Sequence, residues 1–472
     1  MDVLAAELLL ESLAVAASAH GLRRRDWVED AFHGVIHPLY ESPLRGRRTL
    51  AHLRAFEANA RLDADALATL QWTRLRSLLQ HCWDNVPFYR AHWSPAIGTI
   101  DEIRCTADLA RLPVLTKAHL REHFRDLHAR GSGGRLLYKQ TDGTTGEPLR
   151  FAYTRDAYEQ RQAIMHRGYR WAGYRVGSRA LYLWWSPHLR QPGLRALREH
   201  LHHRLFNRRF LDAMHLDPHS LARHARKISA VAPRTIVAYV TPLYLLARWA
   251  LDAGIELHRP EVILTAAEPL EEYQRTTISA AFGAPVRNTY GCREFMLIAS
   301  EHRDCGRLHV NSDQLVVETI PLDIAGAEST GQMVITDLSN RGMPMVRYVN
   351  GDIGRLSSAA CTCGLPFPVI DRLDGRRLDL LRTPSGRQIH FSAITYGFLS
   401  ARGVAQYKVI QRGDRLELRV VPTAGYSDEV GRTIVAGIAA VIAEPMAIEL
   451  LLVDSIPPGR NGKFRITESV AD

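Results

Sequence analysis

A chain of 472 residues exceeds what one ordinary hydrophobic core organises, so two or three domains are expected. With 46% apolar and 23% charged residues, it has the composition of a soluble globular protein and not of a disordered or collagenous one. The formal charge of +10 is spread along the sequence, suits acidic partners such as nucleotides, CoA or an acidic carrier protein, and comes with no aromatic–basic module that would mark nucleic-acid binding.

Residues 1–21 carry Asp2, Glu7 and Glu11, where a signal peptide would need a basic start and an unbroken apolar run. They are expected to form an amphipathic helix. No later segment supplies about 18 uninterrupted apolar residues, so no membrane association and a cytoplasmic location are expected. The six cysteines (Cys82, Cys105, Cys292, Cys305, Cys361 and Cys363) group unevenly, as in an intracellular or metal-binding protein and unlike a secreted disulfide framework.

In chain order, residues 1–125 are predicted to be mainly helical, with a break at Asn85 and Pro87 and with Thr116 capping a basic helix. Leu137–Phe151 then holds Thr141, Asp142, Gly143, Thr144, Thr145 and Gly146 between two short strand candidates. Two glycines and three hydroxyls in six residues disfavour a helix. They fit either a polar hairpin turn or a loop that offers amides and hydroxyls to an anion. It is not a Walker loop, because the G-x-x-x-x-G-K-[ST] spacing is absent. From 156 to about 295, strand and helix candidates alternate, which predicts a covered α/β sheet. More strands follow residue 300, then a charged, glycine-marked hinge candidate near Asp371–Asp379 and a small α+β segment. The expected division is 1–125 helical, 126–375 α/β core and 376–472 small C-terminal domain.

Six segments together resemble the phenylacetate–CoA ligase and capsular-biosynthesis branch of the adenylate-forming enzymes. TDGTTGEPLRF is similar to the phosphate loop of that superfamily, AAEPL to its mid-chain acidic loop and NTYGCRE to its adenylate motif. VRYVNGDIG resembles its ribose-binding segment, DRLDGRRLDLL its hinge, and PPGRNGKFR the loop carrying its C-terminal lysine. NVPFYR and LPVLTK upstream also look like this branch. The resemblance implies an α/β adenylate-forming fold with a large multi-subdomain N-terminal part and a small, mobile α+β C-terminal domain. The implied reaction is ATP-dependent activation of a carboxylic acid as an acyl-adenylate, followed by acyl transfer.

By the same resemblance, ATP would be held by Thr141, Asp142, Gly143, Thr144, Thr145, Gly146, Glu268, Tyr290, Gly291, Asp352 and Arg372. Glu294 would orient Mg2+, and Lys463 would stabilise charge during adenylation. Tyr239, Thr241, Pro242, Ala266, Ala267 and Tyr290 would form the acid pocket, whose small alanines beside aromatics favour an aryl or arylacetic acid. CoA is the first choice of acceptor, with a carrier protein, an amine or a hydroxyl as alternatives. A homodimer is allowed.

Two positions depart from the superfamily pattern: Glu147 where lysine is common, and Arg293 where a threonine often precedes the glutamate. They leave open a nucleotide-binding protein without turnover. His302, Cys305, Cys361 and Cys363 make a chemically reasonable Zn2+ set, closed and therefore structural. Cys292, close to Tyr290 and Glu294, is expected to shape the pocket.

Overall fold

The computed structural model describes residues 26–132, 136–141, 149–184, 194–213, 216, 218–322, 330–376, 380–390, 394, 398, 403–457 and 467–470. Helix Ala64–Asn85 starts where the Asp63 carboxylate accepts the amide of Ala66 at 2.7 Å. It stops at Val86, which is extended because a residue before proline avoids the helical region. Pro87 then opens the next helix, Pro87–Trp93, at a position that needs no amide donor. The Thr116 hydroxyl accepts the His119 amide and starts the helix Lys117–Glu122.

A hairpin of β1 (Leu136–Gln140) and β2 (Arg150–Thr154) leads into the helix Arg155–Trp171. The strands that follow are β3 (Ala180–Trp184), β4 (Arg208–Asp212), β5 (Thr235–Tyr239), β6 (Val262–Ala266) and β7 (Val286–Tyr290). These five run parallel in the order β4-β3-β5-β6-β7. Every residue of β5 is buried, as in a strand covered on both faces. Helices Val240–Asp252 and Glu272–Phe282 cover it through Leu243, Leu246, Ile278 and Phe282, and each such buried side chain contributes about 1.5–3 kcal/mol.

Beyond β7 the sheet turns antiparallel. It continues with β8 (Ala299–Glu301), β9 (Leu308–Val310), β10 (Leu315–Pro321), β11 (Gly331–Asp337), β12 (Tyr348–Leu356) and β13 (Val369–Arg376). The eleven-stranded order is β10-β11-β12-β13-β9-β8-β7-β6-β5-β3-β4. The N-terminal helices share one core with this half, in which Leu75, Tyr89, Trp93, Leu115, Phe151, Tyr290, Ile335 and Tyr348 pack together. Leu115 straps the LPVLTK segment onto β12: its amide donates to the Arg347 carbonyl and its carbonyl accepts from Val349, both at 2.9 Å.

The first part of the hinge candidate is regular strand, because β13 runs through Arg376. A short hairpin, β14 (Leu380–Arg382) with β15 (Gln388–His390), follows. The last unit is a four-stranded sheet of β16 (Val404–Arg412), β17 (Arg415–Pro422), β18 (Ala447–Leu452) and β19 (Thr467–Val470) in the order β18-β17-β16-β19. Helix Asp428–Ile442 packs Ile434, Ile438 and Ile442 against Val409, Leu416, Leu418 and Val420 of that sheet. Among the described residues no helix is long and apolar enough to cross a membrane.

Candidate active site

The site is built where β7 ends beside β12. After Tyr290 the chain folds back on itself, with Met296 donating its amide to the Cys292 carbonyl at 2.7 Å and Ile298 to the Tyr290 carbonyl at 2.8 Å. A Cβ on Gly291 would lie 1.9 Å from the Met296 carbonyl oxygen, so only glycine permits this loop. The loop returns Cys292 and Glu294 toward the sheet.

Strand β12 supplies the other wall. Tyr348 and Asn350 are buried two residues apart on it, and an irregularity at left-handed Gly351 (φ +90°) brings Asp352 back beside Asn350. The Tyr290 phenol donates to Asp352 Oδ2 at 2.8 Å. Asn350 Nδ2 donates to the same oxygen at 2.6 Å and to the Tyr290 phenol oxygen at 2.8 Å, while its carbonyl oxygen accepts the Asp352 amide at 2.9 Å. One rung down, the Tyr348 phenol donates to Glu294 Oε1 at 3.1 Å. Burial first, and then the Asp352 carboxylate, push the Tyr290 phenol well above its ordinary range, so it stays a donor. Burial and the Glu294 carboxylate likewise raise the Cys292 thiol, which keeps it protonated and a poor nucleophile. Asn350 and Tyr348 are absent from the sequence-derived set, although a period of two from Asp352 points at both.

Thr141 closes the mouth of the β1–β2 hairpin. Its amide donates to the Leu149 carbonyl and its hydroxyl accepts the Leu149 amide, each at 2.9 Å. Arg293 Nη1 donates to the Gln140 carbonyl at 3.1 Å and so pins that hairpin to the Glu294 loop. Asp142, Gly143, Thr144, Thr145, Gly146, Glu147 and Lys463 lie outside the described residues.

The acid-pocket candidates gather at the C-terminal ends of adjacent parallel strands, the usual ligand position in an open α/β sheet. Tyr239 ends β5 opposite Ala266, which ends β6, and Tyr290 ends β7. Trp184, ending β3, packs on Tyr239 with ring centroids 4.1 Å apart and adds an aromatic wall that sequence reasoning did not assign. Ala267 is left-handed at φ +73°, turning the chain so that Glu268 Oε2 accepts the Thr241 amide at 2.7 Å. That carboxylate oxygen therefore serves the N-terminus of the helix Val240–Asp252, in which Pro242 is buried. Arg372, expected at the ribose or phosphate, lies on β13. It pairs through Nε with buried Asp374, and the strand register sets it opposite Arg355, while Arg376 lies opposite Asp352.

The cysteine cluster forms with a different histidine. Ligand atoms of Cys305, His309, Cys361 and Cys363 all lie within 4.8 Å of one another. His309 Nε2 is 3.5 Å from Cys305 Sγ and 3.4 Å from Cys363 Sγ. His309 Nδ1 lies 3.2 Å from the Phe367 carbonyl, which fixes the tautomer with the Nε2 lone pair facing the sulfurs. Burial holds the His309 imidazole neutral, whereas burial and the neighbouring thiols push Cys305 up to about 11. His302, the expected ligand, is not in the set. It occupies the neck of the β8–β9 hairpin, where its amide meets the Arg307 carbonyl at 3.0 Å and its ring lies 3.7 Å from the Asp304 carboxylate. The left-handed turn at Gly306 (φ +65°) carries Cys305 back over His309 instead.

No protein-family model matches the chain. It is 27% identical over 332 residues to a phenylacetate–coenzyme A ligase of Pseudomonas putida, covering 68% of this chain and 72% of the relative. A phenylacetate–coenzyme A ligase of Thermus thermophilus is 26% identical over 393 residues, covering 79% and 86% respectively. In fold the chain is similar to a crystal structure of a 2-hydroxyisobutyryl-CoA ligase in the postadenylation state, in complex with R3-HIB-AMP. There the TM-score is 0.69 at 20% identity, over 88% of this chain and 91% of that one.

Proposed function

We propose that this member of the acyl-adenylate-forming superfamily, related to phenylacetate–CoA ligase-like proteins, joins an aryl or arylacetic acid to AMP and passes the acyl group to CoA. The observation that carries the reading is the two-rung ladder from β12. Asn350 and Asp352 hold Tyr290, and Tyr348 holds Glu294, beside the ends of β5, β6 and β7. The substrate carboxylate attacks the α-phosphate of ATP, and pyrophosphate leaves. The CoA thiolate then attacks the acyl carbon, and AMP leaves.

In this scheme Tyr290 packs on the adenine, and Asp352, oriented by Tyr290 and Asn350, accepts the ribose hydroxyls. Thr141 and the glycine–threonine segment after it receive the phosphates, with Arg293 anchoring that hairpin to the Glu294 loop. Trp184 and Tyr239 flank a slot next to small Ala266 and Ala267, which suits a flat acid. Glu294 fits a divalent cation: it is a carboxylate only 6% exposed, and no basic side chain among the described residues pairs with it. Mg2+ bound there would supply positive charge against the triphosphate. Lys463, assigned by resemblance, adds a second positive charge in adenylation, and Lys463→Ala should slow that half-reaction selectively.

Cys305, His309, Cys361 and Cys363 fit Zn2+ by their donor chemistry. Four ligands leave no open position, so the ion would tie the β8–β9 turn to the loop before β13. The test of the whole reading is mass spectrometry of products from a panel of aromatic and aliphatic acids with ATP, offering CoA, carrier protein or amine. An aryl-CoA thioester is the expected product. Acyl-AMP that moves only to a carrier or an amine would replace the acceptor, and no acyl product from any acid would overturn the ligase.

A further inference from the structure

We propose that Tyr348 is the positioning residue for the cation-binding carboxylate, holding Glu294 through its phenol without cancelling the charge. The inference rests on the nucleotide reading of the site. Tyr348 is fully buried and Glu294 nearly so, and their hydrogen bond of 3.1 Å crosses from β12 to the Tyr290–Glu294 loop. Among the described residues, the Cys292 side chain is a further polar neighbour of that carboxylate. An arginine in the place of Tyr348 would orient Glu294 equally well but would neutralise it. A phenol orients the carboxylate and leaves its negative charge for a cation.

The backbone around Tyr348 is locked against sliding. Arg347 before it is left-handed at φ +51°, an uncommon conformation for a non-glycine residue. The Arg347 guanidinium is tied to the Glu318 carboxylate at 3.1 Å and to the Ala110 carbonyl at 3.1 Å. Leu115 brackets Tyr348 through the carbonyl of residue 347 and the amide of residue 349. The Phe295 ring sits 5.8 Å from the Tyr348 ring, filling the space beside it. Because Tyr348 and Asn350 are two residues apart on one face, a single strand sets the cation end and the adenosine end of the site together.

The test is Tyr348→Phe, which keeps the ring and deletes the donor. Mn2+ binding in the presence of ATP, followed by electron paramagnetic resonance, should weaken tenfold to a hundredfold, the usual effect of losing a partner that orients a metal ligand. The Mg2+ concentration for half-maximal pyrophosphate release should rise by the same factor, and the lost rate should return as Mg2+ is raised. Glu294→Asp, which withdraws the carboxylate from the phenol without altering β12, should show the same pattern. Tyr348→Phe combined with Glu294→Gln should bind Mn2+ no more weakly than Glu294→Gln alone. Unchanged Mn2+ affinity in Tyr348→Phe, or additive losses in the double variant, overturns the assignment. The Mn2+ measurement needs no turnover, so it decides the role of Tyr348 even if no acid supports pyrophosphate release.

Discussion

Replacing Asn350 with aspartate is the sharpest probe of the ladder, because it changes one atom's chemistry and almost no volume. The Nδ2 that now donates to Asp352 Oδ2 at 2.6 Å becomes an oxygen, and two carboxylates then face each other. At that separation, like charges repel by about 6 kcal/mol with an effective dielectric near 20. The variant escapes by binding a proton, which caps the penalty at about 4 kcal/mol near pH 7, the cost of protonating a group whose unfolded pKa is about 3.9. Folding therefore raises one pKa of the pair above its unfolded value. Stability relative to the parent is then fullest at low pH and falls as pH rises through the raised value. Thermal unfolding of Asn350→Asp and the parent, measured from about pH 5 to 8, should show two curves that converge at the acid end and part toward neutrality. ATP binding should follow the same trend, since the shared proton restores the hydrogen bond that orients Asp352. Parallel curves would mean that Asn350 and Asp352 are not in contact, and the ladder would be wrong.

Gly291→Ala should lower both stability and nucleotide binding, since its methyl would meet the Met296 carbonyl at 1.9 Å; a fully active, equally stable variant would refute the close turn. Asp313→Ala should destabilise by about 3–5 kcal/mol in chemical denaturation. It strands the Arg167 guanidinium, whose Nη1 and Nη2 each bond Asp313 at 2.7 Å in a fully buried site; a loss below about 1 kcal/mol would contradict that pairing. Metal analysis of purified protein should find about one Zn per chain. His309→Ala should lose it and His302→Ala should keep it, with the reverse pattern restoring the ligand set read from sequence.

The sheet was legible because burial leaves its mark on composition. The strand TIVAY reads as a continuous apolar run, and the helix after it ends at Gly254, which is left-handed at φ +63°. Helix Leu194–Leu205 and the edge strand Arg208–Asp212 were not read, since arginines and histidines dilute the leucine periodicity there. Tyr290, Glu294 and Asp352 stood out through their order along the chain. What joins them did not, because Tyr348 and Asn350 act through hydrogen bonds to the Tyr290–Glu294 loop, which is far from β12 in sequence. The neighbours of Arg372 were not legible either: β12 and β13 carry register shifts at Ile353/Gly354 and Arg355/Leu356, and no sequence pattern sets those. Choosing His302 over His309 came down to one turn, since both lie within four residues of Cys305 and only the Gly306 conformation decides which faces it.

Acid-dependent release of pyrophosphate from ATP tests the central claim most directly. A panel of aromatic and arylacetic acids, each incubated with the full-length protein, ATP and Mg2+ but no acceptor, should release pyrophosphate for at least one acid and leave that acid as acyl-AMP. Intact ATP binding with no acid-dependent pyrophosphate across the panel would contradict the ligase and leave a nucleotide-binding protein in its place.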